Sequence, residues 1–271
     1  MDTVCNCHRW DIEWDNHDIV WIEATAGNDA CVCNVIRIAL RYSNMATLED
    51  GYGINLIPLA TFAMEAYKDD PCAEFVPKST FENELSDKQR HLNAQMHKAI
   101  SIIQFKTESQ ILERHPQWNM ADRELLKAVD YEHGTCVVDG KTYKMRSCNF
   151  PTVDPINPIE LTDDEQKVMD KLRHSFLVSE KLHRHIRAML THGCMYRIIN
   201  NNLLFHASVP LNADGSLKEV EIFPGRKYKG RDLLHNTGML IRTAFQTDSP
   251  KTEADYARDY FLYLWCGPDS P

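Results

Sequence analysis

Two short segments nearly 190 residues apart carry the residue types best suited to chemistry: Asp11-Ile-Glu-Trp-Asp-Asn-His-Asp18 and Leu203-Leu-Phe-His-Ala-Ser-Val-Pro210. Each is a short apolar, strand-like run that ends at polar side chains able to hold a metal or a phosphate. Asn16 offers a carboxamide oxygen and His206 an imidazole nitrogen, a mixture that suits a divalent cation such as Mn or Fe. His17, beside the first of these, is placed to donate a proton rather than to bind metal. The pattern points to metal-assisted hydrolysis of a phosphate ester, with only half of a metal site spelled out. Asn-His-Asp triplets are common by chance, but this one lies where a strand ends and a helix begins, where α/β sheets place ligands. The plainer alternatives are a helix cap for the triplet and a hydrogen-bonded core histidine for His206.

Two further segments carry residue types that could do chemistry. Leu182-His-Arg-His185 resembles the end of a metal motif but falls in a helix. Residues two apart there point about 200° apart, so both cannot reach one ion, and the run reads as solvated surface. Pro224-Gly-Arg-Lys-Tyr-Lys-Gly-Arg231 gathers basic side chains just before a helix. Arg226, Lys227 and Arg231 are therefore candidate phosphate contacts, weighed equally against a solvated loop. No phosphate-binding or dinucleotide glycine motif and no serine-hydrolase elbow occurs.

The elements that must position these residues are legible in outline. A strand at Asp11–Trp14 leads to a helix expected from Ile19 to Ala26, with Asp18 as its structural cap. Helices are expected over 30–42, 54–67 and much of 84–128. Asp139-Gly140 between β-formers predicts a hairpin over 133–146. Thr162 with Glu165 is a capping box opening a helix to about Thr191. Beyond Gly193 short strands follow, 194–199 and 203–206 around Asn200-Asn201-Asn202, then 217–223. Two helices, 230–243 and 253–265, come last. The expected fold class is therefore α/β, with a mainly helical block over 28–192 inserted into a strand-bearing core.

Composition sets the boundaries. The chain has 271 residues, 43 % hydrophobic and 25 % charged, enough for a substantial buried core. Its net charge of −9 argues against nucleic-acid or anionic-membrane binding. A small anionic substrate stays compatible, because bound metal reverses the sign locally. The nine cysteines are odd in number and lack zinc-ribbon spacing, which favours reduced thiols in the cytoplasm. No apolar run approaches the roughly 20 residues that cross a bilayer.

The residues resemble the class III fructose-1,6-bisphosphatases, within the calcineurin-like metallophosphoesterases. The resemblance is carried by Trp14-Asp-Asn-His-Asp-Ile-Val-Trp21, Leu48-Glu-Asp-Gly-Tyr-Gly-Ile-Asn-Leu56, Pro58-Leu-Ala-Thr-Phe-Ala-Met64, Leu203–Gly215 and Tyr263-Leu-Trp-Cys-Gly-Pro268, and it runs the length of the chain. It implies a sandwich of two β-sheets flanked by helices, with two divalent metals, Mn by expectation, at the strand ends. It also implies removal of the 1-phosphate of fructose 1,6-bisphosphate in gluconeogenesis. By position Asn16 and His206 match metal ligands, His17 the histidine that protonates the leaving alkoxide, and Asp18 the last acid of the family's Gly-Asn-His-Asp/Glu motif. A homo-oligomer is left open.

Two departures from the family stand out. Asp15 occupies the motif's glycine position, where a side chain either disturbs the loop or adds negative charge near the site. The family's Asp-x-His, Gly-Asp-x-x-Asp-Arg and Gly-His-x-His motifs, which supply most ligands, are missing. One amide and one imidazole cannot satisfy two hard cations wanting about six ligands each. The chain is thus expected to be a central, partial metallophosphoesterase domain, inactive alone, with Met1 an internal methionine. Two other readings stay open: an inert binding or regulatory chain, and a phosphoesterase for another substrate.

Overall fold

The structure, a computed structural model, describes residues 1–7, 10–78, 85–206, 208–245 and 250–271. In chain order its elements are α1 (Asp2–Cys5), β1 (Ile12–Glu13), α2 (Asn16–Thr25), α3 (Asp29–Arg41), α4 (Ile57–Ala66), α5 (Asp87–Arg114), β2 (Val129–Asp130), β3 (Thr135–Val138) and β4 (Lys141–Lys144). They continue as α6 (Asp163–Val178), α7 (Glu180–His192), β5 (Gly193–Cys194), β6 (Tyr196–Ile199), β7 (Asn202–Phe205), β8 (Val220–Phe223), β9 (Arg226–Tyr228), α8 (Gly230–Thr243) and α9 (Lys251–Cys266). The chain is mixed α/β, mostly helix with small sheets. It divides into two compact units, residues 1–28 with 180–271, and residues 29–179. The helical block read from sequence as 28–192 thus loses α7 to the first unit. Glu84, where its polar helix was expected to begin, and Ala207, within the second chemical segment, lie outside the described residues.

In the first unit β1 runs parallel to β5, Ile12 opposite Gly193 and Glu13 opposite Cys194. Trp14 N extends this pairing to the Cys194 carbonyl at 2.9 Å. The Trp14 side chain is 1 % exposed and donates from Nε1 to the Met189 carbonyl, 3.1 Å away. Gly193 makes that possible, because a Cβ there would overlap the indole nitrogen and lie 2.8 Å from its Cδ1. The Arg242 guanidinium lies 4.6 Å from the Trp14 ring and donates to the Gly193 and Leu190 carbonyls. One arginine so ties α8 to the end of α7 and the start of β5.

Helix α2 begins earlier than its sequence suggests, at Asn16 rather than Ile19. Asp15 is the N-cap, with extended backbone (φ −94°, ψ 176°), and its carboxylate accepts from Asp18 N at 2.8 Å. Asp18 returns the bond by accepting from Asp15 N at 3.1 Å. The cap assigned to Asp18 therefore belongs to Asp15, and Asp18 is the third-position partner of a capping box. Asp15 needs no glycine conformation and does not disturb the turn. Buried Ile19, Ile22 and Ala24 pack the unit's interior, and Asn28 Nδ2 ties the end of α2 to the Arg258 carbonyl of α9. Glu23, one turn from the end of α2, is 1 % exposed, and among the described residues neither of its oxygens has a hydrogen-bond partner. Burial pushes its pKa well above the usual carboxyl value, against the attraction of Arg258.

Asn200 and Asn201, both with φ near the left-handed region at 50° and 62°, turn β6 into antiparallel β7. Of the basic run 224–231, which stands as either a phosphate contact or a solvated loop, Arg226–Tyr228 form strand β9, turned back on β8 at Gly225, and Gly230 and Arg231 begin α8. His185, read from sequence as solvated, is buried, its Nε2 2.8 Å from an Asp2 carboxylate oxygen. That carboxylate provides the pairing a buried imidazole requires.

The second unit is organised by α5. Its capping box, Ser86 with Gln89, starts a 28-residue helix whose central stretch, from Asn93 to Ser109, buries polar residues such as Gln95, Lys98, Gln104 and Lys106 alongside apolar ones. Lys98 pairs with Asp70 at 2.6 Å and Lys106 with Glu165 at 2.7 Å. Glu165 is also the third residue of the α6 capping box and accepts from Thr162 N. The sheet β2–β3–β4 is antiparallel, with Asp139-Gly140 in the left-handed turn its sequence demands. The helix expected to run unbroken from Thr162 splits at Ser179, whose ψ of 95° ends α6 while its Oγ donates to the Tyr52 carbonyl. Among the described residues no helix is long and apolar enough to cross a membrane.

Gly193→Ala should lower unfolding stability by about 1–3 kcal/mol in urea titration, the cost of overpacking against a fixed indole. Lys106→Met should cost about 3–5 kcal/mol by stranding the Glu165 charge, and adding Glu165→Gln should recover most of it. Folded Glu23 holds a proton that the unfolded chain releases above about pH 4.5, so stability falls as pH rises towards the raised folded value. Glu23→Gln should match the parent at pH 4 and exceed it increasingly above, by up to about 1.4 kcal/mol per pH unit.

Candidate active site

The strand ends of the first unit converge on a cavity of about 200 Å³. Trp14, Asp15 and Asn16 reach it from the β1–α2 junction, Phe205 and His206 from the end of β7, and Leu264 and Trp265 from the last turn of α9. Asn16 and His206, paired from sequence across most of the chain, do line one cavity. His17 is exposed beside it, its ring meeting Trp265 edge to face with centroids 5.3 Å apart. Asp18 lies behind them. Burial raises its pKa, the Asp15 amide and the positive fields of His17 and His206 lower it, and the Asp15 charge raises it.

The basic candidates are elsewhere. Arg226, Lys227 and Arg231 do not line this cavity. Arg226 pairs with Glu253 at 3.3 Å and Lys227 with Glu221 at 3.8 Å, while Arg231 donates from Nε to the Tyr196 hydroxyl at 3.0 Å. Strand pairing accounts for Lys227, which β9 lays beside Glu221 of β8, whereas Arg226 reaches Glu253 of α9 and Arg231, in the first turn of α8, is taken up by Tyr196.

The cavity's donor set does not fit a complete binuclear metal centre within this chain. Asn16 and His206 are the sequence-derived ligand candidates that line it, and the Asp15 carboxylate is engaged in capping α2. Among the described residues no three His, Cys, Asp or Glu side chains cluster closely enough to hold a metal. Sequence reasoning missed Trp265 and Phe205 as part of the site. Trp265 stands in a segment picked out only by resemblance, and nothing in a helical Tyr-Leu-Trp-Cys run signals which ring faces a cavity.

A family description, Firmicute fructose-1,6-bisphosphatase, matches residues 1–271. The fructose-1,6-bisphosphatase class 3 of Bacteroides thetaiotaomicron is 53 % identical over 272 residues, covering 100 % of this chain and 41 % of that protein. The protein of the same name from Clostridium novyi is 50 % identical over 271 residues, covering 100 % of this chain and 40 % of its own length. Its counterpart in Porphyromonas gingivalis is 50 % identical over 272 residues, with 100 % and 41 % covered. The chain thus spans about two-fifths of the curated relatives it matches. No solved structure matches it. With every residue of the chain inside one family's match, the chain belongs to the firmicute fructose-1,6-bisphosphatase family.

Proposed function

We propose that the protein carrying this chain hydrolyses the 1-phosphate of fructose 1,6-bisphosphate to give fructose 6-phosphate, a step of gluconeogenesis. The observation that carries this reading is the 53 % identity, over the whole chain, to a protein named fructose-1,6-bisphosphatase class 3. The cavity supports it chemically, because an amide, two imidazoles and a desolvated carboxyl gather at strand ends. In this reading Asn16 and His206 are two ligands of a divalent metal pair, Mn by proposal, whose other ligands come from polypeptide beyond these residues. His17 protonates the departing C1 alkoxide oxygen, and Asp18 holds the turn through its capping bond. Arg226, Lys227 and Arg231 contact phosphate only by exchanging their present partners. Because those pairs are exposed and individually worth about 0–1 kcal/mol, exchange is cheap. A cytoplasmic setting suits nine free thiols.

The finer fold belongs to the same proposal. A two-residue parallel pair and an isolated hairpin are marginal by themselves. Ile198, Ile199, Leu203, Leu204 and Phe205 of β6 and β7 are all exposed. These features support a β-sandwich of which the first unit is one part, with the helical residues between as an insertion.

His17→Ala in the intact protein should lower the rate of phosphate release from fructose 1,6-bisphosphate by about 10²–10⁴-fold, with Mn supplied. The 271-residue chain expressed by itself should release phosphate at background. A rate equal to that of the intact protein would overturn the partial-site reading and leave His17 to be tested separately.

A further inference from the structure

We propose that Trp265 is a positioning residue that fixes the plane of the His17 imidazole for proton transfer; this rests on the role given to His17 above. His17 occupies the second position of α2, in the open. An exposed imidazole on two rotatable bonds has no fixed plane unless a neighbour supplies one. The neighbouring ring is Trp265, 5.3 Å away at 80° between planes, an edge-to-face arrangement that aromatic quadrupoles favour.

The backbone that carries Trp265 is anchored both before and after it. Tyr260, Phe261 and Leu262, one turn before it, are each 1 % exposed and anchor α9 in the unit's interior. After it the chain turns sharply, with Gly267 N donating to the Tyr263 carbonyl at 2.7 Å and Ser270 Oγ to the Leu264 carbonyl at 2.8 Å. Gly267 is required for that turn, since a Cβ would stand 2.5 Å from the Tyr263 carbonyl oxygen. The indole also lines the cavity that holds Asn16 and His206, so one ring ties the direction of the proton donor to the wall beside the candidate ligands. This gives the segment Tyr263–Pro268 a task that resemblance alone did not assign.

The test is a double-mutant cycle on the intact protein with fructose 1,6-bisphosphate, joined to a measurement that needs no turnover. Trp265→Leu should lower kcat about tenfold with KM within twofold, the cost of a donor that has lost its orientation. Trp265→Phe should keep most of the rate, because a ring remains. In the His17→Ala background, Trp265→Leu should have no further effect. Separately, in ¹³C-histidine-labelled protein, the His17 resonance, identified by its loss in His17→Ala, should carry a ring-current displacement that Trp265→Leu removes and Trp265→Phe largely keeps. A Trp265→Leu defect of the same size with and without His17 would overturn the positioning role while leaving His17 as the proton donor. An undisplaced His17 resonance would overturn it as well. Full activity in His17→Ala would instead remove the reading of His17 on which the proposal rests.

Discussion

The first unit depends on one stacked arrangement, the Trp14 indole laid against Gly193 beneath the Arg242 guanidinium. A two-residue parallel pairing offers too few backbone bonds to define its own register. The indole defines it, since only a residue without a side chain can lie against the Trp14 ring where Gly193 does. Arg242 then fastens the arrangement from above, giving two hydrogen bonds to carbonyls that the α7–β5 junction leaves without helical partners. Burial draws its pKa down from the ordinary arginine range, yet guanidinium is basic enough to stay charged. Asp15, Asn16 and His17 follow Trp14 directly, so fixing the indole fixes the point from which the chemical residues leave the strand.

The second unit solves a different problem, how to bury a helix written mostly in polar residues. Helix α5 places Lys98 and Lys106 where water does not reach, and each finds a carboxylate. Lys98 is further surrounded by the rings of Tyr67, Phe75 and Phe150, all within 6 Å of its ammonium. Asp70 accepts from Lys98, from Asn149 and from the Cys72 amide, and these bonds hold its pKa down against the opposing effect of burial. Such pairs add little net stability over a well-packed apolar core. Their effect is to make one packing of α5 much better than its rotations, because turning the helix by one residue would strand both charges.

Local signals were legible in the sequence wherever a single residue type decides the backbone. Asp139-Gly140, the Asn200-Asn201 turn and the Thr162–Glu165 box all mark structures whose causes lie within four residues. Features decided by distant partners were not. Ser179 ends a helix because Tyr52 offers its hydroxyl an acceptor, and β9 is a strand because β8 lies beside it. The burial of Lys98 and Lys106 in α5 has no local signal because their partners Asp70 and Glu165 stand far off in sequence. The same rule divides the site. Asn16, His17 and His206 announce themselves by type and by position at strand ends, whereas Trp265 becomes part of the site only through the packing that carries α9 to the cavity.

Two shortages in the first unit fall at the same place. The cavity has fewer donors than a pair of divalent cations needs, and the strands beside it have fewer neighbours than sheet of this kind needs. Asn16 leaves β1 and His206 leaves β7; both strands, like the unit's other described strands, pair on one side only, and β7 exposes Leu203, Leu204 and Phe205. In the second unit the buried charges are matched by charges of opposite sign, and the cores of the helices are closed. A strand added beside β1 or β7 would cover the apolar side chains and end near the cavity, since neighbouring strands in a sheet finish side by side about 4.8 Å apart. Polar residues at such an end would stand within reach of Asn16 and His206. If the proposed metal-dependent reading holds, completing the sheet and completing the ligand set would be one structural event, and the relatives are long enough to hold polypeptide for both.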